Sequence, residues 1–415
     1  MFPMNFANIL LRTRLCSGAV YFLLLTACGG GSSSPGVVVL PPLPPPPSGN
    51  AAFQNVSVSN LPVSSLGGLC MDADHGDVDG DGDVDLALAQ EHATNLILLN
   101  DGSGVFSVLA GAVMGGAGDN EDVRLRDFDG DNSLDMLTVH EDDGVHALLI
   151  NDGSGVFQDM SALIPVNSIA NAAEVIDLNS DARLDILLGN AGSNIVLLQQ
   201  ADGSFIDDTA NRPIGSETTQ DLLLLDVDGD NDEDLFVANE TDNRLFINDG
   251  SGFFADETAI RLPPGSGETR EADAADVDDD GDLDIIVANV NFNSGRPIQN
   301  QLLLNDGGGI YTDVTATNLA SVVNMGSSFT IRFIDIDSDG DPDILSPNNS
   351  VGQGGDIEVW LNDGSGVFTS ATESPFSSAP SGSAFDIEIV DVNADGKDDI
   401  YFCYRSGTDQ LFIHQ

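Results

Sequence analysis

Residues 77–85 read DVDGDGDVD, and the same nine-residue frame, Asp-x-Asp/Asn-x-Asp-x-x-x-Asp, returns at Asp127, Asp177, Asp226, Asp276, Asp335 and Asp391. Each copy runs straight into an apolar stretch, as in Leu86–Ala89, Ile186–Leu188, Leu235–Ala238 and Ile285–Ala288. A strand such as Ile331–Ile334 or Ile387–Val390 leads into the loop, and a third follows after a variable connection, as in Asn95–Leu99, Arg244–Ile247 and Gln301–Leu304. That third strand ends in NDGSG at Asn100, Asn151, Asn248 and Asn362, in NDGGG at Asn305 and in a degenerate QADGS at Gln200. Asp-Gly and Ser-Gly supply the positive φ angles of tight hairpins. A fourth strand then opens with an aromatic: Phe106, Phe157, Phe205, Phe254, Tyr311 or Phe368. Four short strands recurring about every 40–50 residues predict propeller blades. Seven acidic loops mean seven blades.

The last unit stops in its third strand at Leu411–Gln415, while Phe53-Gln54-Asn55-Val56-Ser57 matches the fourth-strand pattern Phe254-Ala255-Asp256-Glu257-Thr258. Residues 51–58 are therefore expected to complete blade seven and close the ring, removing free sheet edges. The fold class is all-β, a seven-bladed propeller of four-stranded antiparallel blades closed by the N-terminal strand.

The net charge of −55 has a local origin, because about half of the 68 acidic side chains sit in the seven loops. With only 13 basic residues, the surface repels nucleic acid and bare anionic membrane alike. In the loops, alternate side chains at positions 1, 3, 5 and 9, with the position 7 carbonyl, converge as hard oxygen donors. These are Asp77, Asp79, Asp81, Asp83 and Asp85; Asp127, Asp129, Asp131, Ser133 and Asp135; Asp177, Asn179, Asp181 and Asp185; Asp226, Asp228, Asp230, Asp232 and Asp234. The series continues with Asp276, Asp278, Asp280, Asp282 and Asp284; Asp335, Asp337, Asp339, Asp341 and Asp343; and Asp391, Asn393, Asp395, Lys397 and Asp399. All-oxygen ligation suits calcium, whereas magnesium holds its waters and softer metals prefer His or Cys. An EF-hand is excluded, since position 12 is Leu88, Thr138, Leu188, Val237, Val287, Ser346 or Phe402 and never Glu. About six to seven structural ions are expected. Loop three, with Ala182 and Arg183, is the one expected to be weak or empty.

These residues resemble the FG-GAP (VCBS-type) repeats of the integrin α-chain propeller and of many bacterial surface proteins. The resemblance spans residues 51–415 and is carried most strongly by DVDGDGDVD (77–85) and NDGSGVF (100–106). It implies calcium in the hairpins between each blade's first and second strands, on the lower face. It also implies partners on the opposite face, built by the connections between strands two and three and between blades. The FG and GAP tripeptides are poorly kept, which favours the bacterial branch over an integrin-like ligand mode.

Residues 1–27 read as an export signal, with Arg12 and Arg14 before the apolar run Leu15–Leu25, which is too short to span a bilayer. Leu25-Thr26-Ala27-Cys28 looks like a bacterial lipobox, which implies cleavage before Cys28 and its lipidation. Gly29 rather than Asp favours an outer membrane. Residues 28–50 are a Gly/Ser/Pro-rich tether. The expected location is the bacterial cell envelope, lipid-anchored at the outer membrane or cell surface, with a monomeric propeller over residues 51–415.

No GxSxG, HExxH, CxxC or phosphate-binding glycine loop occurs, so no catalytic residue is assigned. His75 is expected to be a turn residue or polar neighbour, and His140 and His146 to be solvated surface. Cys70 and Cys403 should face each other across the ring closure, and a disulfide or two buried thiols both remain open. For ligand contacts the candidates are His92, Arg244, Phe292, Arg296 and Arg405, in the longest connections of the upper face. The leading functional expectation is a non-enzymatic interaction or adhesion module binding a protein or glycan. The alternatives are a glycan-binding lectin and a lyase-type, polysaccharide-acting enzyme.

Overall fold

The apolar alternation, the acidic hairpins and the NDGSG turns build seven four-stranded antiparallel sheets, in which each sheet's first strand is its inner edge. Blade one, for example, runs Cys70–Gly76, Asp85–Gln90, Leu96–Asn100 and Phe106–Val108. First strands touch their neighbours around the ring, giving a seven-bladed β-propeller. The computed structural model describes residues 51–415 except 63–68, 111–117, 142–143, 145, 266, 291, 293–297, 320–327, 348–356, 372–373 and 381. The signal, the tether, Cys28 and Arg296 lie outside the described residues. Among those described, no helix is long and apolar enough to cross a membrane.

Every second strand is buried along its whole described length except at the upper end of Asp399–Ser406, because it is sandwiched between neighbouring blades. Its side chains fill the cores between blades together with third-strand residues, as Leu86, Leu88 and Tyr401 do with Leu411 at the junction of blades one and seven. Leu235, Val237, Leu187 and Val196 do the same at the junction of blades three and four.

The N-terminal strand closes the ring as the repeat phase demands. Phe53–Asn55 pairs with Gln410–His414 as the outermost strand of blade seven, Phe53 opposite His414. The strand is shorter than the expected 51–58. Asn55 Oδ1 accepts the Ser57 amide at 3.1 Å, and the chain turns into the single helical turn Ser57–Asn60. Phe53 is wholly buried, stacked on His414 at 4.6 Å and packed against Phe376 at 5.6 Å. Across the same junction Cys70 and Cys403 form a disulfide, with Cα atoms 5.2 Å apart.

Two further boundaries differ from the expectation. Position 9 of each loop belongs to the second strand, as in Asp85–Gln90. The fourth strand of blade five begins at Thr312, one residue after Tyr311, whose hydroxyl donates to the Leu283 carbonyl at 3.0 Å.

Candidate functional site

Each acidic loop is held open by its own backbone. In loop one, Asp77 Oδ1 and Oδ2 accept the amides of Gly80 and Gly82 at 2.8 and 3.0 Å, and Asp81 Oδ1 accepts the Asp83 amide at 3.0 Å. Loop two repeats this with Gly130, Asn132 and Ser133. Position 6 is left-handed in all seven loops, including Asn132 and Asn231 (φ 70°) and Ala182 (φ 63°). Glycine or asparagine suits such a position, so Ala182 is the strained exception.

These bonds leave the remaining oxygen lone pairs facing inward. Asp79 Oδ1, Asn179 Oδ1, Asp228 Oδ1, Asp278 Oδ1 and Asn393 Oδ1, all at position 3, are buried without a hydrogen-bond partner. A buried unpaired carboxylate oxygen is costly unless a cation meets it. Oxygens of Asp77, Asp79 and Asp85, and likewise of Asp127, Asp129 and Asp131, converge within 4.8 Å of one another. The donors are hard anions, so these clusters could hold a metal ion.

Position 9 has a structural role of its own. Asp85 is wholly buried, and its oxygens accept the Val78 amide at 2.9 Å and the Asn100 amide at 2.8 Å, tying the loop to the NDGSG turn. Burial pushes Asp85, Asp135, Asp185, Asp234 and Asp399 up to about 6, and Asp284 and Asp343 to about 7. The turn asparagine reaches further. Asn100 Nδ2 donates to Val392 O at 2.7 Å, Asn151 to Val78 O at 2.7 Å and Asn362 to Val277 O at 2.8 Å, each in the preceding blade's loop. The turn is thus an inter-blade clamp as well as a hairpin.

A second site lies on the propeller axis. All seven first strands line a channel of about 510 Å³, walled by thirteen carboxylates against five guanidiniums. Along it, a carboxylate of one blade accepts an amide of the next: Asp72 from Val123 at 2.9 Å, Asp122 from Ala173 at 2.9 Å, Asp221 from Ala272 at 2.9 Å, Asp273 from Phe333 at 2.7 Å and Asp386 from Ala73 at 3.1 Å. The arginines are engaged: Arg124 with Asp122 at 2.6 Å, Arg126 with Asp74 at 3.0 Å, Arg332 with Asp386 at 2.8 Å, and Arg405 with Glu91. Glu121 is pushed up to about 8 by burial, then by Glu141, Asp119 and Glu91. At the upper mouth Phe292, Phe329 and Phe385 form a ladder, with centroids 5.8 and 4.2 Å apart. Arg270 and Arg405 sit over its two ends at 5.0 and 5.3 Å.

Of the candidate contact residues, Phe292 (55% exposed) and Arg405 therefore meet at the mouth. His92 is beside them, its ring 3.9 Å from Glu91 and Asp119. Arg244 does not join them. It lines a separate cleft at blades four and five, paired with Glu217 and 3.6 Å from Asp256. His140 and His146, expected on the surface, are each only 2% exposed. His146 takes the place before the third strand that is Asn95, Asn194, Asn243 or Asn300 in other blades, and its Nε2 meets Ser168 Oγ at 2.9 Å. Those asparagines form an upper inter-blade belt, as in Asn95 to Asn120 at 3.0 Å and Asn243 to Thr269 at 2.9 Å. His75 is a polar neighbour, its Nδ1 3.0 Å from Glu388.

The channel predicts a pH response of the metal-free protein. Burial raises Glu121 to about 8 and Asp221 and Asp273 to about 6, and Glu388 raises His75. A raised carboxylate keeps its proton in the folded state to higher pH than in the unfolded chain. Its contribution is present at low pH and is lost as pH rises from about 4 through 6–8. A raised histidine acts in the same direction. In excess EDTA the melting temperature is expected to be higher at pH 5.5 than at pH 8.5, and calorimetry showing the reverse order would contradict this reading.

The FG-GAP-like repeat model matches the chain at residues 77–138, 127–188, 226–287, 276–346 and 350–402. No curated protein matches it. Among solved structures, BBS1N in complex with ARL6DN is similar at 9% identity and a TM-score of 0.54, over 88% of this chain and 98% of that one. An ancestral GH74 enzyme is similar at 10% and 0.50, over 81% and 44%. An Agrocybe aegerita lectin with specific recognition of non-reducing terminal N-acetylglucosamine is similar at 17% and 0.45, over 75% and 80%. At such identities the likeness concerns the fold alone.

Proposed function

Because the chain belongs to the FG-GAP-like repeat family, we propose that it is a calcium-fastened interaction module, lipid-anchored through Cys28 at the bacterial cell surface, that grips a protein partner at the upper mouth of its channel. Calcium would be held by the side chains at positions 1, 3, 5 and 9 and the position 7 carbonyl. There it supplies charge neutralisation and cross-links the hairpin. The orphaned position 3 carboxylate oxygens of Asp79, Asp228 and Asp278 support this.

The observation that carries the partner reading is the mouth itself: an aromatic ladder beside an acidic channel. Thirteen carboxylates against five already engaged guanidiniums favour a basic side chain entering from outside. The part-exposed aromatic ladder offers apolar surface for its methylenes. The test is biolayer interferometry of calcium-loaded protein against basic, neutral and acidic peptides. Basic peptides are expected to bind, with affinity falling as salt rises. At pH 9, where Glu121 is ionised, Glu121→Gln with Phe385→Ala should weaken binding at least tenfold. Equal binding to all three peptide classes, or no effect of the double variant, would sink the reading. Hits on a glycan array instead would favour the lectin alternative, and polysaccharide turnover the enzymatic one.

A further inference from the structure

Two loops carry a basic side chain at position 7, Arg183 in loop three and Lys397 in loop seven. They point to different places. Lys397 Nζ donates to the Gln415 carbonyl at the chain end. Arg183 turns back over its own loop: one terminal nitrogen, Nη2, pairs with Asp181 Oδ2, and Nε donates to the Gln199 carbonyl at 3.0 Å.

The frame of loop three is otherwise that of its siblings. Asp177 Oδ1 and Oδ2 accept the amides of Asp181 and Ala182 at 2.9 and 2.8 Å, and Asp181 Oδ1 accepts the Arg183 amide at 3.1 Å. Loop two shows the same bonds from Asp131, Asn132 and Ser133. What differs is the group that meets the second oxygen of position 5. Among the described residues, no arginine or lysine pairs with the position 5 carboxylate of any other loop.

Other departures fall in the same unit. Position 3 is the neutral Asn179, as Asn393 is in loop seven, position 6 is Ala182, and the following turn is QADGS with Gln199 where five other blades place asparagine. Residues 189–225, between loops three and four, lie outside the family matches.

We propose that loop three carries its own cation: the Arg183 guanidinium takes the place of calcium, and this loop binds no metal. The inference rests on the calcium reading of the other loops. Guanidinium stays charged at every relevant pH and suits a carboxylate partner. At its ligand positions loop three has three carboxylates, Asp177, Asp181 and Asp185, as few as loop seven and against four in the other five loops, and calcium affinity follows ligand charge. Asn179 Oδ1 is left unpartnered, which a neutral amide oxygen tolerates better than a carboxylate does. Blade three would then keep its loop shape when calcium is scarce.

Native mass spectrometry of the calcium-loaded, folded protein tests this by counting ions. Arg183→Ser, which copies Ser133 of loop two, is expected to gain one ion over the parent. Asp181→Asn should leave the count unchanged, while Asp131→Asn should lose one. An ion lost from Asp181→Asn, or none gained by a folded Arg183→Ser, overturns the proposal. If Asp131→Asn loses nothing, the calcium reading falls and takes this inference with it. Should Arg183→Ser not fold, the two aspartate variants decide alone.

Discussion

Excess EGTA is expected to lower the melting temperature by about 10 °C relative to protein in about 1 mM calcium. Extracellular calcium modules bind at ~10⁻⁴–10⁻³ M. A site of ~10⁻⁴ M in 1 mM ion contributes about 1.4 kcal/mol by linkage, so six such loops contribute about 8 kcal/mol. That is comparable with the whole stability of a typical domain. An unfolding entropy of about 2.1 cal/mol/K per residue, over the propeller, converts it to about 10 °C. Removing the ions also exposes the inward carboxylates to one another, which adds to the loss. Scanning calorimetry with and without chelator checks the prediction, and coincident melts would remove calcium from the account.

The second large effect concerns ring closure. Phe53→Ala takes a wholly buried ring from a cluster containing Phe376, Phe402 and Phe412. Such truncations cost about 3–5 kcal/mol. Deleting residues 51–60 goes further, since it strips the partner strand from Gln410–His414 and leaves an open sheet edge. Open edges pair with other chains. The expected result is a markedly lower melting temperature and concentration-dependent oligomers in light scattering. A deletion variant that melts like the parent and stays monomeric would show that the N-terminal strand is dispensable.

Much of the fold was legible because a nine-residue pattern recurs at blade spacing and the strand content of each unit reads directly. Even the closure could be inferred, from the incomplete last unit and the surplus Phe53–Ser57. The channel was not read, although its signal is present. First strands carry charge at alternate positions, as in Met71-Asp72-Ala73-Asp74-His75 and Glu121-Asp122-Val123-Arg124, while second strands are mostly apolar between their opening Asp and their upper end. That contrast marks a wet inner wall. The asparagine before four of the third strands is likewise visible as a recurrence, but its role needs the neighbouring blade, which no local pattern supplies. His140 and His146 depart from the surface expectation for the same reason. Their acidic surroundings in sequence said surface, whereas blade packing buries them. The aromatic ladder joins residues from three blades, so only the closed ring brings Phe292, Phe329 and Phe385 together.

The closing strand has a mechanical consequence. A tug arriving along the chain from residue 50 reaches Phe53–Asn55 before any other element, so the hinge-pin of the ring is also where load enters. Phe53 is held on two sides, by His414 in its sheet and by backbone bonds to Pro375 O and Ser377 N at 3.0 and 2.8 Å. If that strand peels away, the Cys70–Cys403 bond still keeps blades one and seven together. The molecule is built like a belt with a buckle and a stitch behind it: strain releases the buckle first, and the stitch stops the ring from springing open.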